Sequence, residues 1–183
     1  MNDILQHTIR FFILASIQIL ILNNVQISGY INPFVYILFI MLLPPKMPKA
    51  IVLILAFIMG FTIDIFSDSY GIHSSATVLL AFLRPRVLAL VSIKGGEDLE
   101  AIGIKQLRIN RFFTYSGILC LIHHFTLFYL EAFRLNEFFD TFLRALYSSV
   151  FSISIMLLIE SLFSNKKSRW IGINIRIGDF SFI

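Results

Sequence analysis

The sequence has few charged residues, a single cysteine and none of the short motifs that mark common catalytic sites. Charged residues occupy 14% of its 183 positions, whereas soluble domains carry about 25%. The lone Cys120 excludes an internal disulfide and a metal cluster held by cysteines. A Walker loop, G-x-S-x-G, H-E-x-x-H and C-x-x-C are all absent from the sequence. We therefore expect no enzymatic activity, no cofactor and no bound metal.

Apolar residues dominate what is present. They make up 57% of the chain, and the mean hydropathy is +0.84. The net charge of +4 and the pI near 9.4 could indicate a nucleic-acid partner, but the basic residues are spread between apolar runs instead of clustering on one face. We interpret them as topology signals in a membrane protein. The first apolar run lacks a small-x-small cleavage site, so it is expected to be a retained span.

Six apolar segments are candidates for membrane spans, because a helix needs about 20 residues to cross the hydrocarbon layer. The sequence predicts an all-α polytopic bundle of six transmembrane helices, with five as the alternative. A transmembrane domain over 1–164 precedes a cytoplasmic C-terminal tail over 165–183. Proline is expected to kink or end the fourth span at Pro85. The six segments are 10–27, 31–44, 50–66, 72–93, 112–133 and 138–163.

The distribution of Lys and Arg favours an arrangement with both termini in the cytoplasm. Six spans then place thirteen of the fifteen basic residues on the inner side, and only Arg134 and Arg144 fall on the outer half. The second segment is the weak point, since its fourteen residues reach only about 21 Å as a helix. A re-entrant second segment would leave five spans and place the N-terminus outside. Both topologies remain open at this stage.

Gly60, Asp64 and Asp68 follow one another at intervals of four residues, so they share one face of the third helix. The glycine allows a neighbouring helix to approach closely. An ionised carboxylate is costly in hydrocarbon, and we therefore expect Asp64 to face protein or water. The stripe is interpreted as a packing seam or the wall of a cavity.

The role of Asp64 has two interpretations. In the first, it is a ligand or relay in a proton or cation site, with His73 as its partner across the turn. In the second, the stretch "SDSYGIHSS" is a turn in which Gly71 adopts a permissive conformation and Asp68 or Ser69 binds the free amides of the next helix. The structural interpretation is favoured for Asp68, and neither is favoured for Asp64.

Other polar residues in the spans are interpreted structurally. Arg84 and Arg86 are expected to extend their side chains to the lipid headgroups, and Glu160 is placed at the interface. His123 and His124 point about 100° apart around their helix, so neutral histidines bonded to neighbouring helices are favoured over a metal or proton path. In the tail, isoleucine alternates with other residues over 171–177, which is typical of a strand. Such a strand could pair with a partner's sheet edge or rest at the membrane interface.

The sequence over 29–90 closely resembles the rod shape-determining protein MreD family. The specific part of the resemblance is the pattern of Gly60, Asp64 and Gly71 followed by Arg84 and Pro85. The length and the number of spans also agree. The resemblance implies a non-catalytic inner-membrane subunit of the cell-elongation complex that helps to organise peptidoglycan synthesis. It implies MreC as a partner, with RodA, a class B penicillin-binding transpeptidase and MreB as further partners. It also implies a fold similar to the six-helix S-components of vitamin transporters.

Two functions follow from these observations. The favoured one is a membrane scaffold that binds other membrane subunits and lipid through its helix faces, with the seam around Gly60 as one contact surface. The alternative is a small-ligand binding or transport module in which Asp64, Asp68 and His73 line an outward pocket. Nucleic acid is not an expected partner of either.

Overall fold

The protein folds as a bundle of long α-helices with one irregular segment at its centre. The computed structural model describes the backbone of residues 3–24, 30–92, 101–132 and 138–178, and the side chains as far as residue 162. The predicted all-α bundle is confirmed, because five helices in this part of the chain are long and apolar enough to cross a membrane. The helices are α1 (Asp3–Leu20), α2 (Leu38–Met41), α3 (Lys49–Ser67), α4 (Ile72–Val91), α5 (Ile104–Leu107), α6 (Ile109–Ala132) and α7 (Phe138–Gly178).

The bundle has two ends, which we name the Lys49 end and the Asp68 end after the residues where α3 begins and where it stops. Helices α3 and α4 form an antiparallel hairpin, and α6 and α7 continue the alternation. Helix α1 runs parallel to α3. Its last turn lies at the Asp68 end, where the Asn23 side chain donates a hydrogen bond to Ser67 Oγ at 2.9 Å. Its Arg10 lies beside Glu160, near the Lys49 end of α7.

Because α1 and α3 are parallel, the chain must return along the bundle between them, and residues 31–43 make that return. We call this segment the buried pass. It enters at the Asp68 end, where the Tyr30 hydroxyl donates to the carbonyl of Asp140 at 2.7 Å. It leaves near the Lys49 end, where the carbonyl of Leu43 accepts a hydrogen bond from Arg84. The bundle is therefore traversed six times, five times by a long helix and once by the buried pass.

The shortness of the second segment has a physical explanation in this path. Only α2 is helical within the buried pass, and the residues before it are extended or turn. Extended chain advances about 3.3 Å per residue against about 1.5 Å in a helix, so few residues suffice. Because Pro33 lacks an N–H group, it leaves no amide there that needs a hydrogen-bond acceptor. Pro44 and Pro45 prevent the short helix from continuing. Irregular backbone is tolerated at this depth because residues 33–43 are all buried in protein.

The path also decides between the two topologies left open by the sequence. Helix α1 begins at the Lys49 end, and α7 leaves the bundle at that same end. The two termini of the bundle therefore lie on one side, as the six-span arrangement predicts. The described residues contain five long helices, the number given by the re-entrant alternative, and not the six that were favoured. The second segment nevertheless traverses the bundle instead of turning back, so it is neither a sixth transmembrane helix nor re-entrant.

The structure corrects two local predictions. Pro85 was expected to kink or end the fourth span, and it does not end α4, which continues to Val91 with Pro85 on the exposed side of the helix. The tail strand predicted over 171–177 is also not observed, because α7 extends without a break to Gly178. A helix satisfies its own backbone hydrogen bonds, whereas a single strand needs a partner. Residues 179–183 of the tail lie outside the described residues.

Candidate functional site

Asp64 lies one turn before the end of α3 and faces the first turn of α4. Its carboxylate is 5% exposed. Oδ1 accepts hydrogen bonds from the Ser69 hydroxyl at 2.7 Å and from the His73 amide at 2.9 Å. Oδ2 accepts from the amide of Ser74 at 2.9 Å and from its hydroxyl. We call this arrangement of Asp64, Ser69, His73 and Ser74 the Asp64 cap.

The cap answers a need of the helix that follows. The first amides of a helix have no partner within the helix and carry the positive end of its dipole. The residue at the N-cap position of α4 is Gly71, whose φ of 89° suits glycine but which has no side chain to offer. Asp64 supplies the missing acceptor from the neighbouring helix. Because the two helices form a hairpin, a residue of α3 can reach amides nine and ten residues further along the chain.

The sequence placed this capping role on the wrong residue. Asp68 is exposed and ends α3 in a left-handed conformation with φ of 51°, and it does not cap α4. Ser69 binds one of the first amides of α4 through its backbone carbonyl, which accepts from Ile72 at 2.9 Å, while its hydroxyl donates to Asp64. The prediction that Asp64 faces protein is confirmed.

Gly60 allows the cap to form by bringing the two helices into backbone contact. A Cβ atom on Gly60 would lie 2.5 Å from Ser74 Cα and 2.8 Å from the carbonyl oxygen of His73. Both neighbours are backbone atoms that cannot rotate away. The predicted packing seam is therefore confirmed, but it is used between α3 and α4 of this chain. It is not a free surface for another subunit.

The geometry favours capping over a cation site at Asp64. His73 Nδ1 lies 3.2 Å from Asp64 Oδ1 and 2.7 Å from Ser69 Oγ, so it adds a fifth contact to the carboxylate. A carboxylate has about four lone-pair sites, and a cation would have to displace these donors. The described residues contain no group of three or more His, Cys, Asp or Glu side chains placed to hold a metal ion.

Arg84 performs the complementary task near the Lys49 end. Its side chain is 4% exposed and donates to the carbonyl of Leu43 and, at 3.2 Å, to the hydroxyl of Tyr115. That hydroxyl donates in turn to the carbonyl of Met41 at 2.9 Å. We call Arg84 and Tyr115, with these two carbonyls, the Arg84 cradle.

The expected extension of Arg84 towards lipid headgroups is wrong, because its donors are needed inside the bundle. Arg86 does lie on the outside, where its guanidinium carbon is 4.9 Å from the ring centre of Phe82. Exposed Pro85 separates the two arginines, which point to opposite sides of α4. Arg84 and Pro85 both belong to the MreD-like sequence pattern, but the first is buried and the second is exposed.

The part of the buried pass nearer the Asp68 end is also held by side chains that bind its backbone. No role for these residues was predicted from the sequence. Gln18 of α1 accepts from the amide of Val35 at 2.8 Å and donates to the carbonyl of Pro33 at 3.1 Å. Two serines one turn apart on α7 accept the amides of alternate residues in the extended stretch: Ser148 from Asn32 at 3.1 Å and Ser152 from Phe34 at 2.8 Å. The signal that could have found them is a polar residue repeated at a four-residue interval in an apolar span.

The two adjacent histidines of α6 also bind the surrounding structure. His123 Nε2 lies 2.8 Å from the Tyr36 hydroxyl of the buried pass. His124 Nε2 lies 3.0 Å from Ser152 Oγ of α7. The prediction that they bond to neighbouring elements is confirmed.

Comparison with known proteins adds no relatives. No family model matches the chain, and no match was found among curated proteins or among solved structures.

Proposed function

We propose that this chain is a non-catalytic membrane scaffold of the bacterial cell-elongation complex, which contacts MreC and helps to organise peptidoglycan synthesis. The observation that carries the proposal is the commitment of the intramembrane polar groups to the fold. Asp64 and Arg84 are bonded to backbone groups of this chain. Neither charge is left to handle a substrate or an ion.

The outer faces of the helices support the same function. They carry large apolar side chains that can pack against other membrane helices or lipid. On α3, the rings of Phe57 and Phe61 stack with centres 5.6 Å apart on an exposed face beside the Gly60 contact. The contact surface is accordingly proposed on outward faces such as this one, and not on the Gly60 seam.

The Lys49 end is proposed to face the cytoplasm. Lys46 and Lys49 lie there, and so do Lys105, Arg108 and Arg111 around α5 and the first turn of α6, while α7 carries four more basic residues beyond Glu160. Cytoplasmic flanks of membrane spans carry an excess of Lys and Arg. We propose that the chain lies in the inner membrane, with the start of α1 and the far end of α7 on the cytoplasmic side.

The alternative of a small-ligand module gains no support from the geometry. It requires Asp64, Asp68 and His73 to line one outward pocket. Asp64 and His73 bind each other and the start of α4, while Asp68 lies apart on the exposed surface. We therefore develop the scaffold alone.

Co-purification from a rod-shaped bacterium tests the proposal. The affinity-tagged chain is expressed in place of the native copy, extracted in mild detergent and analysed by quantitative mass spectrometry. We expect an MreC-like protein at near-stoichiometric yield, accompanied by a RodA-like protein. Recovery of a stoichiometric ATPase-linked energising subunit instead, with no MreC-like protein, would refute the scaffold.

A phenylalanine scan then locates the contact face. One exposed ring on each long helix is changed to Ala: Phe12, Phe61, Phe82, Phe113 and Phe139. We expect at least one variant to lose the MreC-like protein while keeping its thermal unfolding midpoint. Loss of the partner only in variants that also unfold would contradict a contact through these faces.

A further inference from the structure

A crevice lies between α1 and α7 at the Lys49 end, with the buried pass as its floor. Its volume is about 150 Å³. Helix α1 packs on α3 and on α2, while α7 packs on α6, so a gap remains between the two outer helices. The lining residues are Gln6, Ile9, Arg10, Ile13, Leu14, Leu38, Leu42, Ile159 and Glu160.

The crevice is polar at one end only. Ile13, Leu14 and Leu38 line the part further from the Lys49 end, whereas the polar residues Gln6, Arg10 and Glu160 lie nearer to it. Ile13 on its rim is 37% exposed, so the crevice opens sideways towards the surrounding membrane. A phospholipid has the same order of polarity, with an apolar chain deep in the bilayer and a phosphate nearer the surface.

Glu160 fixes the polar end. It was expected at the interface but is buried, and its carboxylate lies against the backbone that precedes α5, where a Cβ atom on Gly103 would be 2.6 Å from Glu160 Oε1. Arg10 lies close enough to interact with it electrostatically and remains half-buried. A guanidinium has five N–H donors, so Arg10 can face the carboxylate and still offer donors to a phosphate.

We propose that the crevice binds one acyl chain of a phospholipid in the leaflet at the Lys49 end, with its phosphate beside Arg10. A cavity of about 150 Å³ takes a molecule the size of benzene, so the apolar part of the crevice accommodates a segment of the acyl chain. A partner helix, about 10 Å across, is too wide for it. The bilayer itself supplies acyl chains at the lateral opening. The proposal is independent of the scaffold function.

Photolabelling in nanodiscs that hold one copy of the protein tests the proposed acyl-chain site. The probe is phosphatidylglycerol with a diazirine midway along one acyl chain, and the labelled residues are mapped by peptide mass spectrometry. We expect label on Leu38 and Leu42, which are 1% and 4% exposed and cannot be reached from the outer surface. Label confined to outward side chains such as Ile54 would overturn the proposal.

Two matched variants keep the test independent of folding. Ile13→Phe fills the mouth of the crevice, and Ile54→Phe makes the same change on the outer face of α3, where residue 54 is 58% exposed. We expect loss of label on Leu38 and Leu42 only in Ile13→Phe, with both variants eluting as the parent does. Equal labelling of Leu38 and Leu42 in the two variants would show that the acyl chain does not enter the crevice past Ile13.

The phosphate contact is tested separately by Arg10→Gln. The variant is labelled with phosphatidylglycerol and with a diacylglycerol that carries the same chain but no phosphate. We expect reduced label on Leu38 with the phospholipid and no change with the diacylglycerol. An equal reduction with both probes would remove Arg10 from the proposed site.

Discussion

The Asp64 cap and the Arg84 cradle lie at opposite ends of the bundle and serve opposite backbone groups. At the cap, an acceptor binds the unpaired amides at the start of a helix. At the cradle, a donor binds carbonyls of a segment that is only briefly helical. The cap joins residues ten positions apart or fewer, whereas the cradle joins Arg84 to Leu43, 41 positions earlier.

The comparison explains why this apolar chain keeps buried charges at all. Hydrocarbon offers no hydrogen bonds, so each backbone group that leaves a helix must be satisfied by the protein. The charge of Asp64 matches the positive end of α4. The guanidinium of Arg84 serves a buried carbonyl and a tyrosine hydroxyl together. The two buried charges of Asp64 and Arg84 therefore mark places where the backbone departs from a regular helix.

The largest effect is expected from Asp64→Ala, because it breaks the cap without leaving another acceptor. The amides of His73 and Ser74 lose their partner, at about 1–3 kcal/mol for each buried group left unpaired. The free energy of unfolding in mixed micelles measures the loss. Asp68→Asn is the control, because the site is exposed and Asn tolerates its left-handed conformation, so stability should change by less than about 0.5 kcal/mol. Equal effects of the two changes would contradict the cap.

Arg84→Met tests the cradle and should give the second-largest loss of stability. The change removes the donor to the Leu43 carbonyl, which costs about 1–3 kcal/mol. The removal of a buried charge offsets part of this loss. Arg86→Met is matched in chemistry and lies on the exposed side of the same helix. Thermal unfolding in detergent should separate the two variants, and an equally stable Arg84→Met protein would show that the cradle is dispensable.

Gly60→Ala sharpens the comparison by disturbing the helix contact beneath the cap while leaving its hydrogen-bonding groups in place. The new methyl would overlap the backbone of α4, at a cost of roughly 1–3 kcal/mol. Gly117→Ala is the control, since its Cβ would meet only Ile153 Cδ1 at 3.9 Å. That variant should be neutral or more stable, because Ala favours a helix over Gly by about 1 kcal/mol. Parallel melting curves for both would contradict the close contact.

Ser148→Ala should give the smallest effect, at about 0.5–1.5 kcal/mol. It removes one neutral acceptor from the amide of Asn32, which is only half-buried and can reach another partner. The Ser154 hydroxyl bonds within its own helix, to Val150, so Ser154→Ala is the control. Amide hydrogen exchange at Asn32 should rise only in the first variant. Unchanged exchange would show that Ser148 does not hold the buried pass.

The candidate site was half predictable from the sequence. Asp64 could be assigned to a protected helix face, since the interval of four from Gly60 and the cost of a charge in lipid are both local facts. Its partners could not be chosen, because Asp68 and Ser69 are equally plausible caps until the hairpin angle is known. Arg84 was misassigned because its acceptor is a backbone carbonyl, which has no sequence signature.

The sequence by itself determined a helical membrane bundle and the approximate limits of its long spans, because hydropathy and the need for internal hydrogen bonds act on each segment separately. It also favoured placing both chain termini on one side through the distribution of Lys and Arg. Only the tertiary structure decided that the second segment crosses as an irregular pass, and that Gln18, Tyr115 and Arg84 hold it. Such a path is stable only when side chains from several helices meet its backbone, and no single stretch of sequence contains that condition.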